Sequence, residues 1–388
     1  MSKAETATEK GTYGYDVSFF AERGIKTIEL KDEDSQSGVL IIPAYQGRVM
    51  TSTSSGNGGI SYGWINYDLI SSGKVDRQFN PVGGEERFWL GPEGGPFSIY
   101  FSPGVEQVYE NWLVPPVIDT ESFEIFSIDK KSVKFSKNAL VKNAYGTEFK
   151  LGIQRTITLL SRAEVSALLN VDIPDEVRLV GYQSENIITN LGEAAWTKEG
   201  GLLSIWMLGM FNPSPETTVF IPFKPQGEGQ IVNDEYFGKV PSDRLIVDNN
   251  TVFFKIDGKL RSKIGIPPER ATELCGSYDS GQKILTLLWC TVPAEPEVYV
   301  NSQWGQQDDP YKGDVINSYN DGPVEDGSIM GPFYEIETSS PAAALPPSGA
   351  LKHVQRVMHI EGDEASLAGL VNSLFGLDLK EIACKFQD

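Results

Sequence analysis

The chain has 388 residues and a formal charge of −20, from 33 Lys and Arg against 53 Asp and Glu. A chain this acidic is repelled by phosphate backbones and by anionic lipid, so we expect neither nucleic acid nor a membrane as a partner. Its hydrophobic content of 40% is typical of a folded globular protein and argues against intrinsic disorder.

The first residues and the cysteines indicate the compartment. Met1 to Lys10 has no apolar segment like that of a secretory signal, and no run approaches the ~18 apolar residues of a membrane span. The cysteines, Cys275, Cys290 and Cys384, form no metal motif or disulfide framework, so each is predicted to be a buried, reduced thiol. We expect a cytoplasmic protein without cofactor or metal; a mature exported protein would look the same. No pattern indicates the oligomeric state.

The predicted elements divide the chain into three parts. Residues 1–23 are an N-terminal extension. Residues 24–361 contain short strands bounded by Pro, Gly, Asn or Asp, which predicts a single all-β sandwich or barrel domain. Within it, the apolar strand Lys283 to Thr291 is expected to be central, with Trp289 buried. Residues 362–388 show helical spacing, and Gly376 divides them into two short helices, the first capped by Asp363, that we expect to pack outside the sandwich.

A glycine-bounded stretch, VGGEERFWLGPEGGPFSIYF at Val82–Phe101, is the first candidate for a site. Alternating residues at 97–101 predict a strand, and the preceding residues predict a loop. That loop would present charged and aromatic side chains, a composition typical of polar-ligand sites: Glu85, Glu86, Arg87, Trp89 and Glu93. The alternative interpretation is a Gly-rich turn with an ordinary Arg–Glu pair.

The second candidate is FYEIET at 333–338, where strand alternation places Glu335 and Glu337 on one face. Two like charges there repel unless one is solvated or a cation lies between them, and Arg87 and Lys263 are the candidate cations. A carboxyl beside a like charge has a raised pKa, which suits a general acid or base. We expect Arg87 and Glu335 to face one cavity with Lys263 near them. The alternative is an edge strand with two solvated glutamates.

A long polar loop, residues 301–321, carries Trp304 and Tyr311 among amides and carboxylates. These groups suit sugars, since rings stack on the apolar sugar face and planar groups bond hydroxyls. A calcium site is the alternative, although the spacing of its acidic residues matches no EF-hand: Asp308, Asp309 and Asp314. The two histidines, His353 and His359, share a strand face with Gln355, and a structural role is expected for both.

Several motifs occur in an order that resembles the galactose mutarotase-like β-supersandwich superfamily. They are LIIPAYQGRVMTS at 40–52, VGGEERFWLGPEGG at 82–95, ITNLGEAAW at 188–196, RSKIGIPP at 261–268, SYNDGP at 318–323 and FYEIETSSPAAALPPSGALKHVQRV at 333–357. The chain is most similar to the uncharacterised, domain-of-unknown-function branches of that group. The resemblance implies an all-β supersandwich of antiparallel sheets with a concave, sugar-sized site.

The resemblance also implies chemistry that this sequence can only partly supply. The family's epimerases open and re-close a hexose ring with a mid-chain histidine acid and a late glutamate base. No histidine precedes His353 here, and Glu335 is the positional match to the late carboxylate. We therefore expect a carbohydrate-recognising protein, with Glu335 and Lys263 as candidate catalytic residues. The candidate ligand-binding residues are Arg87, Trp89, Glu93, Trp304, Tyr311 and Arg48.

Two other functions remain open at this point. One is an aldose 1-epimerase-like enzyme in which Lys263 or Tyr311, with a lowered pKa, replaces the histidine acid. The other is a non-catalytic interaction or scaffold protein, for which the charged candidates would be dispersed over separate faces. Glu325, in a predicted solvated loop, is expected to play no part in ligand binding.

Overall fold

The computed structural model describes residues 9–324 and 326–387, so Glu325 lies outside the described residues. The helices are α1 (Tyr13–Glu22), α2 (Tyr67–Ser72), α3 (Pro116–Asp119), α4 (Arg162–Leu169), α5 (Glu364–Phe375) and α6 (Leu379–Cys384). The strands up to the middle of the chain are β1 (Ile28–Asp32), β2 (Ser37–Ile42), β3 (Arg48–Thr53), β4 (Arg87–Gly91), β5 (Glu124–Ile128), β6 (Ser132–Lys142), β7 (Glu148–Leu160), β8 (Arg178–Asn190) and β9 (Ser204–Phe211). The later strands are β10 (Thr217–Pro222), β11 (Leu245–Asp248), β12 (Thr251–Lys255), β13 (Ser262–Ile266), β14 (Leu274–Asp279), β15 (Ile284–Cys290), β16 (Ile316–Asn320), β17 (Tyr334–Ser339) and β18 (Ala350–Glu361).

These strands form antiparallel sheets in two layers. The first layer is a ten-stranded sheet of order β11-β12-β10-β14-β15-β18-β8-β7-β6-β5. The second layer contains a five-stranded sheet, β13-β16-β17-β9-β4, and a three-stranded sheet, β1-β2-β3. Backbone bonds from Glu85 N to Met50 O and from Glu86 N to Val49 O join β3 to the start of β4. The all-β architecture expected from the turn spacing is therefore confirmed.

The main core lies between the two layers, because each sheet buries one side of its pleat there. Ile336 of β17 and Leu288 of β15 both belong to this core and are fully buried. A second apolar cluster covers the opposite side of the ten-stranded sheet, where α5 and α6 pack through Leu367, Leu370 and Ile382. Strand β15 is thus buried on both faces, as its continuous apolar sequence predicts.

The two C-terminal helices follow the predicted pattern. Asp363 caps α5 by accepting hydrogen bonds from the Ala365 and Ser366 amides at 2.9 and 3.0 Å. Gly376 ends the helix with a φ of 65°, a left-handed conformation that glycine adopts without strain. Both helices lie on the outside of the ten-stranded sheet. No helix within residues 9–324 and 326–387 is long and apolar enough to cross a bilayer.

Three local expectations are wrong. Arg87 to Gly91 form a strand rather than a loop, because they pair with β9 in a continuous register, whereas 97–101 are irregular. Trp289 is only half-buried, because its side of β15 faces the margin of the helix layer, where the Arg356 guanidinium lies 4.0 Å from the ring centroid. Cys384 is exposed on α6, whereas Cys275 and Cys290 are buried.

His353 makes the stability of the fold dependent on pH. The ring is buried in the main core, where Nε2 lies 2.8 Å from Thr338 Oγ1 and Nδ1 has no partner among the described residues. Burial lowers its pKa to about 4, from an ordinary value of about 6.5. Since the fold holds the neutral ring, this stability is fully present above pH ~6.5 and is lost as the pH falls towards the folded pKa.

We predict that His353→Gln will reduce the loss of stability between pH 7 and pH 4. The shift corresponds to about 3 kcal/mol, at 1.36 kcal/mol per pKa unit. Urea unfolding at several pH values measures the free energy of unfolding of both proteins. Subtracting one profile from the other removes the contribution of carboxylates that titrate in both. Parallel stability profiles for the two proteins would contradict a neutral His353 in the fold.

Candidate functional site

The candidate site lies on the face of the five-stranded sheet that points away from the ten-stranded sheet. Inward residues identify the other face: Thr338 bonds to Gln355 of β18, and the Tyr334 hydroxyl bonds to Ser277 of β14. Residues that alternate with these point outward. The cross-strand registers place Lys263, Tyr319, Glu335 and Met210 in one outward row. A second outward row holds Gly265, Asn317, Glu337, Leu208 and Arg87.

Two ion pairs occupy the centre of this outer face. Arg87 Nη2 donates to Glu335 Oε1 at 2.5 Å, and Lys263 Nζ donates to Glu337 Oε2 at 2.8 Å. Their side chains are between 1% and 10% exposed, so both pairs are buried. Each glutamate of FYEIET therefore has its own cation, which relieves the repulsion between them.

Aromatic rings surround the two pairs. The Arg87 guanidinium lies 4.8 Å from the Trp89 ring centroid, and Lys263 Nζ lies 4.9 Å from that of Trp206. Trp206 also donates from Nε1 to Glu337 Oε2 at 2.9 Å. Tyr236 closes the Lys263 side, with its ring centroid 5.4 Å from Nζ. The site thus combines charge with flat apolar surface, as the sequence predicts for sugar recognition.

Two loops, 92–115 and 301–313, form a wall beside Trp89. Their contact is close: the Glu93 amide donates to Ser302 Oγ at 3.2 Å, and a Cβ at Gly94 would lie 2.2 Å from the Gln303 carbonyl oxygen. Trp304 stands at the rim, 37% exposed, with its ring centroid 5.1 Å from that of Phe101. Rigid loops that hold an exposed indole over a polar floor are a common way to build a binding site.

Among the buried polar atoms of the outer face that lack a hydrogen-bond partner in the described ranges, three belong to the ion pairs or to Trp89 beside Arg87. They are Arg87 Nε, Trp89 Nε1 and Glu337 Oε1. Two are donors and one is an acceptor, and all belong to side chains that are at most 4% exposed. Unsatisfied buried polar groups are costly and therefore rare in native folds. These three atoms lie on the same face of the sheet, so this face carries unsatisfied hydrogen-bonding capacity.

Burial and charge shift the acidity of the site. Burial raises the pKa of Glu335 and the neighbouring Glu337 raises it further, while Arg87 and Lys263 oppose the shift. Burial also raises the pKa of Glu93, against the influence of Lys263. For Lys263, burial lowers the pKa, but Glu337 and Glu93 outweigh it and the net shift is upward. Glu335 and Glu93 therefore hold protons more strongly than the same carboxyl groups in water.

The outer face is fixed in place by a fully buried ion pair behind it. Arg155 Nη2 donates to Glu86 Oε1 at 2.6 Å, and both side chains are completely buried between the sheets. Ser184 and Gln355 each donate to Glu86 Oε2 at 2.9 Å. Because neighbouring residues of a strand point to opposite faces, fixing Glu86 inward directs Arg87 outward.

Two predicted site residues are engaged elsewhere. Arg48 is buried and donates to the Gly83 carbonyl at 2.7 Å and to Gln46 Oε1 at 2.9 Å, so it supports the Gly83 turn. The Tyr311 hydroxyl donates to the Lys198 carbonyl at 2.6 Å, and burial raises its pKa to about 12. Tyr311 is therefore further from acid catalysis at neutral pH than a free tyrosine.

The histidines lie apart from the ion pairs, whereas Asp314 of the polar loop lies beside Tyr236 on the Lys263 side of the site. Asp314 accepts hydrogen bonds from Tyr236 and Asn233, and burial raises its pKa to about 6. No group of three metal-ligating side chains occurs within the described ranges. His353 and His359 both point into the space between the sheets, where they contact Thr338 and Glu85. Neither histidine reaches the outer face.

Sequence reasoning missed three contributors to the site. Glu337 was paired with Glu335 by alternation but was not selected, although it is the more deeply buried of the two. Trp206 lies in SIWMLGMF, a strand buried on both faces, so no alternation of polar and apolar residues marked it. Tyr236 lies in an irregular segment without a motif. The available signal for Trp206 was indirect: its strand, β9, pairs with the strand that contains FYEIET.

The chain has a galactose mutarotase-like fold. The solved structure of the Slr1438 protein from Synechocystis sp. PCC 6803 aligns with a TM-score of 0.52 and 11% identity, over 92% of this chain and 99% of that one. A putative aldose 1-epimerase from Escherichia coli K12 aligns with a TM-score of 0.53 and 10% identity, over 87% and 99%. At these identities the likeness shows the fold alone.

A family model gives the particular assignment. The chain belongs to the family of unknown function DUF6786, whose model matches residues 11–386. No curated protein matches the chain. The resemblance inferred from the ordered motifs, to an uncharacterised branch with a mutarotase-like fold, is therefore confirmed.

We predict that breaking the Glu86–Arg155 pair will strongly destabilise the fold. Arg155→Met leaves the Glu86 carboxylate buried without its cation, which typically costs about 3–5 kcal/mol in the free energy of unfolding. The double variant Glu86→Gln with Arg155→Met should recover part of this loss. Urea unfolding measures both effects.

The matched control removes an exposed pair on the same sheet. Lys352 and Glu185 lie 3.3 Å apart with side chains 57% and 36% exposed, so Lys352→Met should cost less than about 1 kcal/mol. An Arg155→Met variant as stable as Lys352→Met would show that the buried pair does not anchor the sheet.

Proposed function

We propose that this protein binds a carbohydrate on the outer face of its five-stranded sheet. The observation that carries the proposal is the set of unpartnered buried atoms on that face: the donors Arg87 Nε and Trp89 Nε1 and the acceptor Glu337 Oε1. A sugar hydroxyl is both donor and acceptor, so adjacent hydroxyls of one ring satisfy such a mixed set. The Trp304 ring, 37% exposed at the rim, offers a stacking surface for the apolar face of the sugar.

The charges of the site favour recognition through hydrogen bonds. Arg87 and Lys263 are each held by a glutamate, so their guanidinium and ammonium donors are oriented but electrically balanced. Hydrogen bonds to charged groups contribute about 1.5–3 kcal/mol each, more than neutral ones. Dispersal of Arg87, Glu335 and Lys263 over separate faces would have favoured a scaffold protein, and their shared face supports a binding site instead.

We predict that Arg87→Ala and Glu337→Gln will each weaken saccharide binding by at least about tenfold, since each removes a charged partner. Calorimetric titration with a panel of neutral mono- and disaccharides measures the affinity. Lys352→Met, on the other sheet, serves as the control and should bind as the unaltered protein does. Thermal unfolding of each variant checks that it is folded.

Two outcomes would count against the proposal. The first is the absence of any saccharide binding at millimolar concentration. The second is a set of folded Arg87 and Glu337 variants with unchanged affinity.

A second candidate function, aldose 1-epimerase-like catalysis, is favoured by the different surroundings of the two glutamates. Burial and Glu337 raise the pKa of Glu335, which suits a proton donor, whereas Glu337 accepts a hydrogen bond from the Lys263 ammonium at 2.8 Å. Ring opening needs a proton at the ring oxygen and a base at the anomeric hydroxyl. Lys263 and Tyr311, whose pKa values are raised, fit the acid role less well.

We predict that the protein will accelerate the mutarotation of freshly dissolved hexoses and that Glu335→Gln will abolish the acceleration. Because the donor must be protonated, the rate should fall as the pH rises through the raised pKa of Glu335. Polarimetry measures the rate. Rotation that changes at the rate of buffer alone would remove catalysis for those sugars and leave the binding proposal standing.

A further inference from the structure

A cavity opens at one end of the sandwich, between the two layers. Its volume is about 490 Å3, within the range of small-molecule sites. Residues 60–65 cover it, and the ends of β9 and β14 with parts of β15 and β18 form its walls. None of the four residues of the outer-face ion pairs lines it. It is therefore a separate site, which we term the inter-sheet cavity.

Aromatic rings form a continuous wall of this cavity. The Tyr62 ring stacks on His359 with centroids 4.1 Å apart and an angle of 14° between the planes. Phe211 packs edge-on against His359 at 5.6 Å, and Tyr334 lies 5.3 Å from Phe211. Trp64 and Tyr67 lie on the same side as Tyr62. The wall suits a flat or apolar ligand body.

The polar atoms of this wall are already engaged. His359 Nε2 lies 3.0 Å from Glu85 Oε1, and His359 Nδ1 lies 2.8 Å from Thr286 Oγ1. The Tyr62 hydroxyl donates to Glu361, and the Tyr334 hydroxyl lies 2.8 Å from Ser277 Oγ. The ring surfaces, rather than the ring heteroatoms and hydroxyls, are what these residues offer to a ligand.

Asp279 is the carboxylate that lines the cavity, and it lacks a cation. It is 7% exposed and accepts hydrogen bonds from Thr217 Oγ1 at 3.2 Å and from the Gln282 amide and side chain at 2.9 and 3.1 Å. All of these donors are neutral, and no ion pair within the described ranges includes Asp279. Burying a carboxylate without a cation is costly, so a cationic ligand would be favoured at this position.

The other charged groups that face the cavity form no ion pair with Asp279 within the described ranges. Lys10 is exposed at the rim, with Nζ 4.6 Å from the Tyr67 ring centroid, and its charge lowers the pKa of Asp16. His359 is paired with Glu85. The formal charge of −20 on the whole chain also attracts cations towards the molecule.

We propose that the inter-sheet cavity binds a primary amine with an apolar or aromatic body. The ammonium group is held by Asp279 and by hydroxyl oxygens of Thr217 and Ser277, which together accept its three N–H donors. The body lies against Tyr62 and Phe211, whose ring faces also attract a cation. This site is independent of the saccharide site on the outer face.

The test compares two isosteric probes, phenethylamine and phenethyl alcohol, by calorimetric titration of the full chain. We expect the amine to bind about ten- to a hundredfold more tightly than the alcohol, because only the amine forms a charge-assisted hydrogen bond. Asp279→Asn should remove that difference and leave binding of the alcohol unchanged. Asp248→Asn, an exposed aspartate paired with Lys385 on the far edge of the sheet, is the matched control and should behave as the unaltered protein.

Equal affinity for the two probes, an unchanged amine affinity in Asp279→Asn, or no binding of either probe at millimolar concentration would each overturn the proposal. If Asp279→Asn does not fold, the comparison of the two probes on the unaltered protein still tests the proposal. Saccharide binding at the outer face should survive Asp279→Asn, so failure of one proposal is distinguishable from failure of the other.

Discussion

The buried pair of Glu86 and Arg155 is the interaction on which both sites depend. Both side chains are fully buried, and Ser184, Gln355 and Asn186 complete their hydrogen bonds. A charge pair in a core is expensive to bury, so its partners tolerate little displacement once it has formed. The strand that carries Glu86 is thereby held in one register.

The chain at the start of that strand directs three consecutive charged residues to three places. Glu86 enters the core, Arg87 turns outward to Glu335, and Glu85 reaches His359 at the wall of the inter-sheet cavity. The glycines before them make this possible: a Cβ at Gly83 would lie 2.3 Å from the Trp64 carbonyl oxygen, and one at Gly84 would lie 2.4 Å from the Arg48 side chain. Two glycines and three charges thus connect the outer face, the core and the cavity.

The sequence predicted those features that depend on local periodicity. Alternation placed Glu335 and Glu337 on one face, and continuous apolarity identified β15 as a central strand. The sequence did not predict the features that depend on contacts between distant parts of the chain. Consecutive charges in GGEER suggested a loop. No local pattern shows that Arg155, 69 positions further along the chain, pairs with Glu86 in the core. Trp206 and Tyr236 were missed for the same reason, since distant chain segments bring them to Lys263.

The distribution of thiols has a practical consequence for spectroscopy. Cys275 and Cys290 are buried, and burial raises the pKa of Cys275 to about 12, so neither offers an accessible thiolate to a labelling reagent. Cys384 is exposed on α6, which lies on the far side of the ten-stranded sheet from the outer face. A maleimide dye would therefore attach at a single position without mutagenesis. Energy transfer from the tryptophans of the outer face to that dye would report the distance between them in the native chain.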